Sequence, residues 1–290
     1  MPGFVCKKRG IINGFEVALF ELGTNSQKDE MLKLEEHLKN KIRKMKLHNP
    51  DEYRALLQVP GVIENEFTEK ILAQIKRINI PSKNKNQWFD VRRSRVTEFM
   101  AQCLLEREYN CIFYEEADKR INTEVVNRDK HTPGIDVTGI YHNKRDFKFV
   151  ACEVKASKGD VPCEEAKSLL TDIYKGYTNE EDRLSKEILQ YYTDLNMAQI
   201  DDILIRDILA FLIKLIDVSS SHEELIKNVI FIPFLIRYNP KIIEHNTLED
   251  FADFKIEDMK GIDIKGVIWA FNKDINTFAN DLYDEVLANG

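Results

Sequence analysis

Apolar residues recur along this chain with two periods, every second residue and every third or fourth, and the switches between them lay out its elements. The period of two is clearest at residues 147–156. There Phe147, Phe149, Ala151, Glu153 and Lys155 share one face, while Val150, Cys152 and Val154 share the other. The all-apolar face can pack under a helix, and the mixed face carries a carboxylate and an ammonium at the strand's end. A turn at 142–146 lets the preceding strand, which bears Asp136, pair beside it. Further strands are predicted at 4–6 and 15–22, joined by a Gly/Asn turn, and at 111–115, 229–237 and 265–271, with Pro233 marking an irregularity in the fourth.

The longer period predicts helices. Met31, Leu34, His37, Leu38 and Ile42 repeat helically within 26–47. Asn49-Pro50-Asp51 and Pro60-Gly61 then bracket a short helix, and a third spans 65–78. After a polar connector from Pro81, Asp90 is the expected N-cap of a helix with Val96, Phe99, Met100, Cys103 and Leu104 on its apolar face and Arg95, Glu98 and Gln102 on a polar stripe. A helix is expected to start at 159–162, with Pro162 in its first turn. The helical pattern then continues over 180–217, where residues 204–216 are apolar nearly all round and call for cover, as an embedded core helix or as a helix that binds a partner. A closing helix is expected at 274–287. The polar stretch 119–130 reads as an excursion between strands. Together these elements predict an α/β fold with a mixed central sheet flanked by helices. Residues 1–82 form an N-terminal accessory segment of strands and helices, and 83–290 a main domain with a helical insertion at 162–228.

The chemistry concentrates between Pro133 and Ser157, where Asp136 and the triplet Glu153-Val154-Lys155 fall on neighbouring strands. Two carboxylates beside one lysine suit metal-assisted phosphodiester hydrolysis. Magnesium takes oxygen ligands and keeps several waters, so one or two carboxylates suffice against a substrate phosphate. Asp136 and Glu153 are the expected ligands, with the Val154 carbonyl as a third oxygen. Lys155 would orient or deprotonate the attacking water and offset charge on the phosphate. An all-oxygen site favours magnesium or manganese over zinc. Glu153 and Lys155 are both expected at an exposed strand end. The plainer alternative is a cross-strand ion pair contributing at most about 1 kcal/mol. Glu98 would wall the site, or else form an ordinary helix-surface pair with Arg95. Lys83, Lys85, Arg92, Arg93 and Arg95 stand against the single Asp90, a local balance of +4, and are candidate phosphate contacts. Lys167 and Lys175 project from the helix after the triplet, where a solvated lysine is the plain alternative. His131 and His142 are more simply solvated turn residues than ligands.

These motifs resemble the PD-(D/E)XK nuclease superfamily, in which a helix carrying a Glu precedes a strand with an Asp, a strand ending in (D/E)-x-K, and a helix with a further basic residue. The resemblance spans about residues 90–175. It implies that Glu98 is the helical glutamate, Asp136 the first metal ligand, Glu153 and Lys155 the signature pair, and Lys167 the basic residue of the following helix. Ile135 stands where the name-giving pattern has Pro. The implied fold is a restriction-endonuclease-like core with helical additions, and the implied cofactor is Mg2+, with Mn2+ as a substitute. The whole-chain layout is also similar to the HamA nuclease subunit of Hachiman-type anti-phage defence. That similarity implies an effector that degrades DNA in the bacterial cytoplasm alongside a helicase partner.

Charge and composition bound these expectations. With 42 basic and 49 acidic residues the net charge is −7, so any nucleic-acid grip must be local. Such a local field is screened within about 8 to 10 Å at physiological salt, which points to a partner that supplies grip. Neither GxxxxGK[ST] nor GxGxxG occurs, so an ATPase motor would have to be a separate protein. The five cysteines lack CxxC spacing and read as reduced core thiols of a cytosolic protein. No apolar run is long enough to span a membrane, and no secretory leader is apparent. Two non-catalytic alternatives stand beside the nuclease: a silent nuclease-like module that docks a helicase or nucleic acid, and a helical scaffold with an incidental Glu-x-Lys triplet.

Overall fold

A computed structural model describes residues 1–23, 27–46, 70–71, 80–81, 83, 91–118, 134–144, 146–199, 202–238, 248–254, 259 and 261–288. Its centre is a seven-stranded mixed sheet in the order β1-β2-β7-β6-β5-β4-β3. The strands are β1 (Phe4–Ile12), β2 (Phe15–Leu22), β3 (Cys111–Ile112), β4 (Val137–Asn143), β5 (Asp146–Ser157), β6 (Val229–Arg237) and β7 (Asp263–Ala270). The helices are α1 (Gln27–Lys46), α2 (Val91–Tyr109), α3 (Glu164–Tyr177), α4 (Arg183–Met197), α5 (Ile203–Asp217), α6 (His222–Lys227) and α7 (Ile275–Ala288).

The hairpin of β1 and β2 turns on Asn13 and Gly14, both at positive φ, as the right-handed twist of the two strands requires. β2 then runs parallel to β7, so the first strands of the expected accessory segment belong to the same sheet as the rest. β7, β6 and β5 are mutually parallel, and β4 folds back antiparallel on β5, followed by β3. Every residue of the central strand β6 is buried, which is why its sequence shows a continuous apolar run and no alternation. Pro233 lies opposite Glu153, where β6 keeps its register with β5. On the other side the β6–β7 register pauses between Phe231 and Phe234, so the proline's missing N–H falls in a gap of that ladder.

Alternation along the strands divides the core in two. Ala18 and Phe20 of β2, Val150, Cys152 and Val154 of β5, and Trp269 of β7 face α1, α2 and α7. Val17 and Leu19, Phe149 and Ala151, and Ile268 face α3, α4, α5 and the segment around Phe251. Helices α3 to α6 lie in sequence between the parallel strands β5 and β6, where a crossover is obligatory and the helical insertion was expected.

Several boundaries depart from the sequence pattern. The strand expected at 111–115 is only Cys111–Ile112, followed by a 3-10 turn at Glu115–Ala117. The helix expected to start at 159–162 begins at Glu164 with Cys163 as its N-cap, leaving Pro162 outside it. The single helical run 180–217 is two helices, α4 and α5, separated near Gln199, which takes positive φ. α5 buries Ile205, Ile208, Leu212 and Leu215 and exposes Ile203 and Ile213, so its cover is one-sided. The five cysteines are free, with only Cys6 exposed. Burial pushes the thiols of Cys103 and Cys111 up to about 12. The short helix after Pro50, Asp90, Lys85, residues 119–130 and His131 lie outside the described residues. Of the helix expected at 65–78 only Lys70 and Ile71 are described, both helical. No helix among the described residues is long and apolar enough to cross a membrane.

Candidate active site

The carboxyl ends of β5 and β6 and the start of β4 meet at one edge of the sheet, the end at which α/β sheets place their ligands. β4 pairs with β5 only as far as Val137 opposite Cys152. One residue before that ladder, Asp136 turns its Oδ2 to accept the Val154 N–H at 2.8 Å. The N–H and C=O of a strand residue point to the same side, so the Val154 carbonyl is directed toward Asp136 as well. Asp136 and the Val154 carbonyl thus share a strand edge.

Glu153 and Lys155 lie on the face of β5 that looks toward α3 and α4. Glu153 is not at an exposed strand end, as expected from sequence, but only 4 % exposed. Its Oε1 accepts from Arg183 Nη2 at 2.7 Å, and the same guanidinium nitrogen donates to the Gly134 carbonyl. Burial, and then the charge of Asp136, hold the Glu153 carboxyl well above the usual carboxylate range despite Arg183. Burial works to lower the Lys155 ammonium, but Asp136, Asp172 and Glu153 outweigh it and raise its pKa. Lys155 is therefore a fixed positive charge at neutral pH, suited to holding a water or phosphate oxygen and unsuited to acting as a base. Its nearest partner is Asp172 Oδ2 on α3, at 3.1 Å, with Lys175 on the same carboxylate's other oxygen at 3.7 Å.

The turn after β5 is braced from below. Ser157 Oγ donates to Glu165 Oε2 at 2.6 Å and accepts the Gly159 N–H at 3.1 Å. Arg237, the last residue of β6, donates to the Gly159 carbonyl at 2.6 Å and faces Asp250, which accepts the Cys163 N–H at 3.1 Å. These contacts set the direction in which α3 leaves the sheet, and so where Asp172 meets Lys155.

The remaining predicted site residues are placed less uniformly. Glu98 is buried on α2, on the opposite face of the sheet, and accepts from Ser94 Oγ at 3.0 Å. Its charge bears, with those of Asp136 and Glu153, on the Cys152 thiol, which burial above all pushes far up. Glu98 therefore approaches the site from behind β5. Lys167 is not brought to the group. It lies on the solvent side of α3, paired with Glu164 at 3.0 Å and about 140° around the helix from Asp172. Lys83 and Arg92 bind Asp284 of α7, at 3.1 and 2.8 Å. Arg92 is buried, donates to the Pro81 carbonyl at 2.9 Å and stacks over Tyr283. Arg95 is buried too, whereas Arg93 is half-buried with Asn276 at 3.5 Å. His142 stacks on Phe147 at the far end of β5.

Arg183 and Asp172 had no sequence motif. A cation in the first turn of a helix opposes the helix dipole, so Arg183 at the start of α4 was a signal of a tertiary partner, though not of which one. Asn179 takes positive φ, and its side chain caps the N–H groups of Leu184 and Ser185 at 2.9 and 3.2 Å. That cap fixes the start of α4 and aims Arg183 back at Glu153.

Among the described residues no three His, Cys, Asp or Glu side chains converge as a metal-holding group. The donor set here is two carboxylates whose charges oppose each other, together with backbone carbonyls. It fits a hard cation that retains waters and leans on substrate oxygens, such as Mg2+ or Mn2+, and lacks the nitrogen or sulfur ligands that zinc prefers. No family model matches the chain, and no curated protein matches it.

Proposed function

We propose that this chain is a metal-dependent nuclease that hydrolyses nucleic-acid phosphodiester bonds, with DNA as the favoured substrate and a PD-(D/E)XK-like core. The observation that carries this reading is the hydrogen bond from the Val154 N–H to Asp136 Oδ2, which sets Asp136 against the backbone between Glu153 and Lys155, where its charge raises the pKa of both of those groups. Two carboxylates forced together need a cation, and a persistent ammonium beside them is placed for an anionic phosphate. Asp136, Glu153 and the Val154 carbonyl would hold Mg2+ or Mn2+, which when bound supplies Lewis-acid polarisation of the phosphate and a more acidic water. Lys155 orients the attacking water and offsets negative charge gathering on the phosphate. Asp172 in turn fixes the Lys155 side chain. Glu98 supports β5 from the opposite face and is a positioning residue.

The basic run is a weaker grip than its sequence implies, since Lys83 and Arg92 are engaged by Asp284. With a net charge of −7, strong unaided binding of a polyanion is disfavoured. This supports action with a separate nucleic-acid-stimulated ATPase or helicase, and the layout suits an anti-phage defence effector of the Hachiman type. One observation favours the second reading, a silent module that docks a helicase or nucleic acid: Glu153 already has a cation, Arg183.

Cleavage of linear DNA, circular DNA and RNA, with Mg2+, with Mn2+ and after chelation, separates the two readings. The nuclease predicts cutting that EDTA abolishes and either metal restores. Cutting that survives thorough chelation, or none on any substrate with or without the helicase, overturns it.

A further inference from the structure

Arg183 occupies a peculiar place. Its Nη2 joins two oxygens, Glu153 Oε1 at 2.7 Å and the carbonyl of Gly134, two residues before Asp136. One oxygen lies on β5 and the other on the segment that leads through Asp136 into β4, the two stretches that frame the candidate metal site. The guanidinium thereby does for Glu153 what a bound cation would do: it neutralises a carboxylate that is only 4 % exposed and crowded by a second one.

Arg183 also has somewhere else to go. Its side chain is 21 % exposed. It lines an open cavity of about 530 Å³ together with Gly134, Lys175, Glu180, Glu181, Lys186 and Glu187. Glu180 and Glu181 are exposed on the turn just before Arg183, so carboxylates two and three residues back can receive the guanidinium once it leaves Glu153. A divalent ion at Glu153 would meet a fixed positive charge bonded to the same carboxylate, and two cations on one small anion repel.

We infer that Arg183 is a built-in competitor for the cation site: it closes Glu153 in the metal-free protein and swings toward Glu180 and Glu181 when a divalent ion binds. This rests on the reading of Asp136 and Glu153 as ligands. Metal loading is thereby coupled to the start of α4, because the ion can reach full coordination only as the helix's first side chain lets go. The metal-free chain is held off, which suits a nuclease that must not cut at random.

Titration calorimetry with Mn2+ on the full chain tests this without any cleavage assay. Arg183→Gln, which removes the charge and keeps hydrogen-bonding capacity, should bind Mn2+ about tenfold tighter than wild type, the effect of losing one nearby unit charge in a partly screened site. Arg183→Lys should stay close to wild type, and Asp136→Asn should abolish binding in both backgrounds. In wild-type protein, saturating Mn2+ should speed amide hydrogen exchange in residues 183–187. This second measurement decides the matter should Arg183→Gln fold poorly. Asp136-dependent binding that is no tighter in Arg183→Gln, or exchange at 183–187 unchanged by bound Mn2+, overturns the competition and leaves the metal site standing. Absence of any Asp136-dependent Mn2+ binding overturns the site itself, and the competition with it.

Discussion

Two arginine–carboxylate pairs sit at the carboxyl ends of the neighbouring parallel strands β5 and β6, and they are built to different ends. Arg237 and Asp250 are 1 % and 0 % exposed, 3.3 Å apart. Their remaining partners are backbone, the Gly159 carbonyl for the arginine and the Cys163 N–H for the aspartate. Glu153 is as deeply buried, at 5 % of its side chain, but Arg183 is 21 % exposed and borders an open cavity. Sealed on both sides, an ion pair becomes a brace, because neither ion can leave without stranding the other in a medium that cannot solvate it. With one wall open, the same chemistry yields an ion that can be exchanged. The first pair holds the turn after β5 in place, and the second sits on the candidate reaction centre.

Breaking the wet pair at its carboxylate should have the largest effect on function. Glu153→Gln should lower cleavage by about a thousandfold or more, the scale of losing a group that stabilises the transition state, while the protein melts higher than wild type at neutral pH. The folded state holds the Glu153 proton more tightly than the unfolded chain, whose reference value is 4.5. The stability that this group contributes is therefore present at acid pH and is lost as pH rises through the raised folded value. Glutamine removes that loss. A variant that melts lower at neutral pH, or that cuts normally, contradicts the assignment, and melting curves across pH with a cleavage assay measure both.

The dry pair should fail in the opposite sense. Arg237→Met leaves Asp250 buried without its cation and should cost about 3–5 kcal/mol of stability, read by denaturant unfolding. Molecules still folded should bind Mn2+ within about twofold of wild type, since tenfold is about 1.4 kcal/mol of direct interaction. If Arg237→Met proves harmless to stability, the brace is not one.

The basic run offers a smaller contrast between a buried and an exposed partner of one aspartate. Arg92→Ala loses the Pro81 carbonyl, Asp284 and the Tyr283 ring and should cost about 2 kcal/mol. Lys83→Ala, on the exposed side of Asp284, should change stability by less than about 0.5 kcal/mol. Filter binding at physiological salt should show little change in DNA affinity for Lys83→Ala. A marked loss there would restore that lysine to a phosphate-contacting role. The least effect is expected of Lys167→Ala, whose ammonium pairs with Glu164 at the solvent side of α3. Cleavage and the thermal midpoint should both be unchanged, and a tenfold drop in cleavage with stability intact would return Lys167 to the site.

What the chain's own pattern determined was whatever depends on neighbours in sequence. β2 and β6 span the residues that their apolar runs outlined, and β5 matches its alternation to within a residue at each end. The positions of Glu153 and Lys155 on one face of β5 followed from the period of two, because a strand has no other way to place them. The proximity of Asp136 followed from the short turn between β4 and β5, which leaves an antiparallel hairpin as the simplest pairing. Tertiary structure alone decided how each charge is partnered. The rotation of α3 about its axis brings Asp172 to Lys155 and turns Lys167 away, and the docking of α7 gives Lys83 and Arg92 to Asp284. The cap at Asn179 and the packing of α4 deliver Arg183 to Glu153 across thirty residues. Helix rotation and docking are set by how apolar faces fit one another over many residues, whereas a charge at the rim adds little to that choice. A local motif can therefore mark the carboxylates and the lysine, while their partners, and with them the protonation of Glu153, emerge only when the layers close.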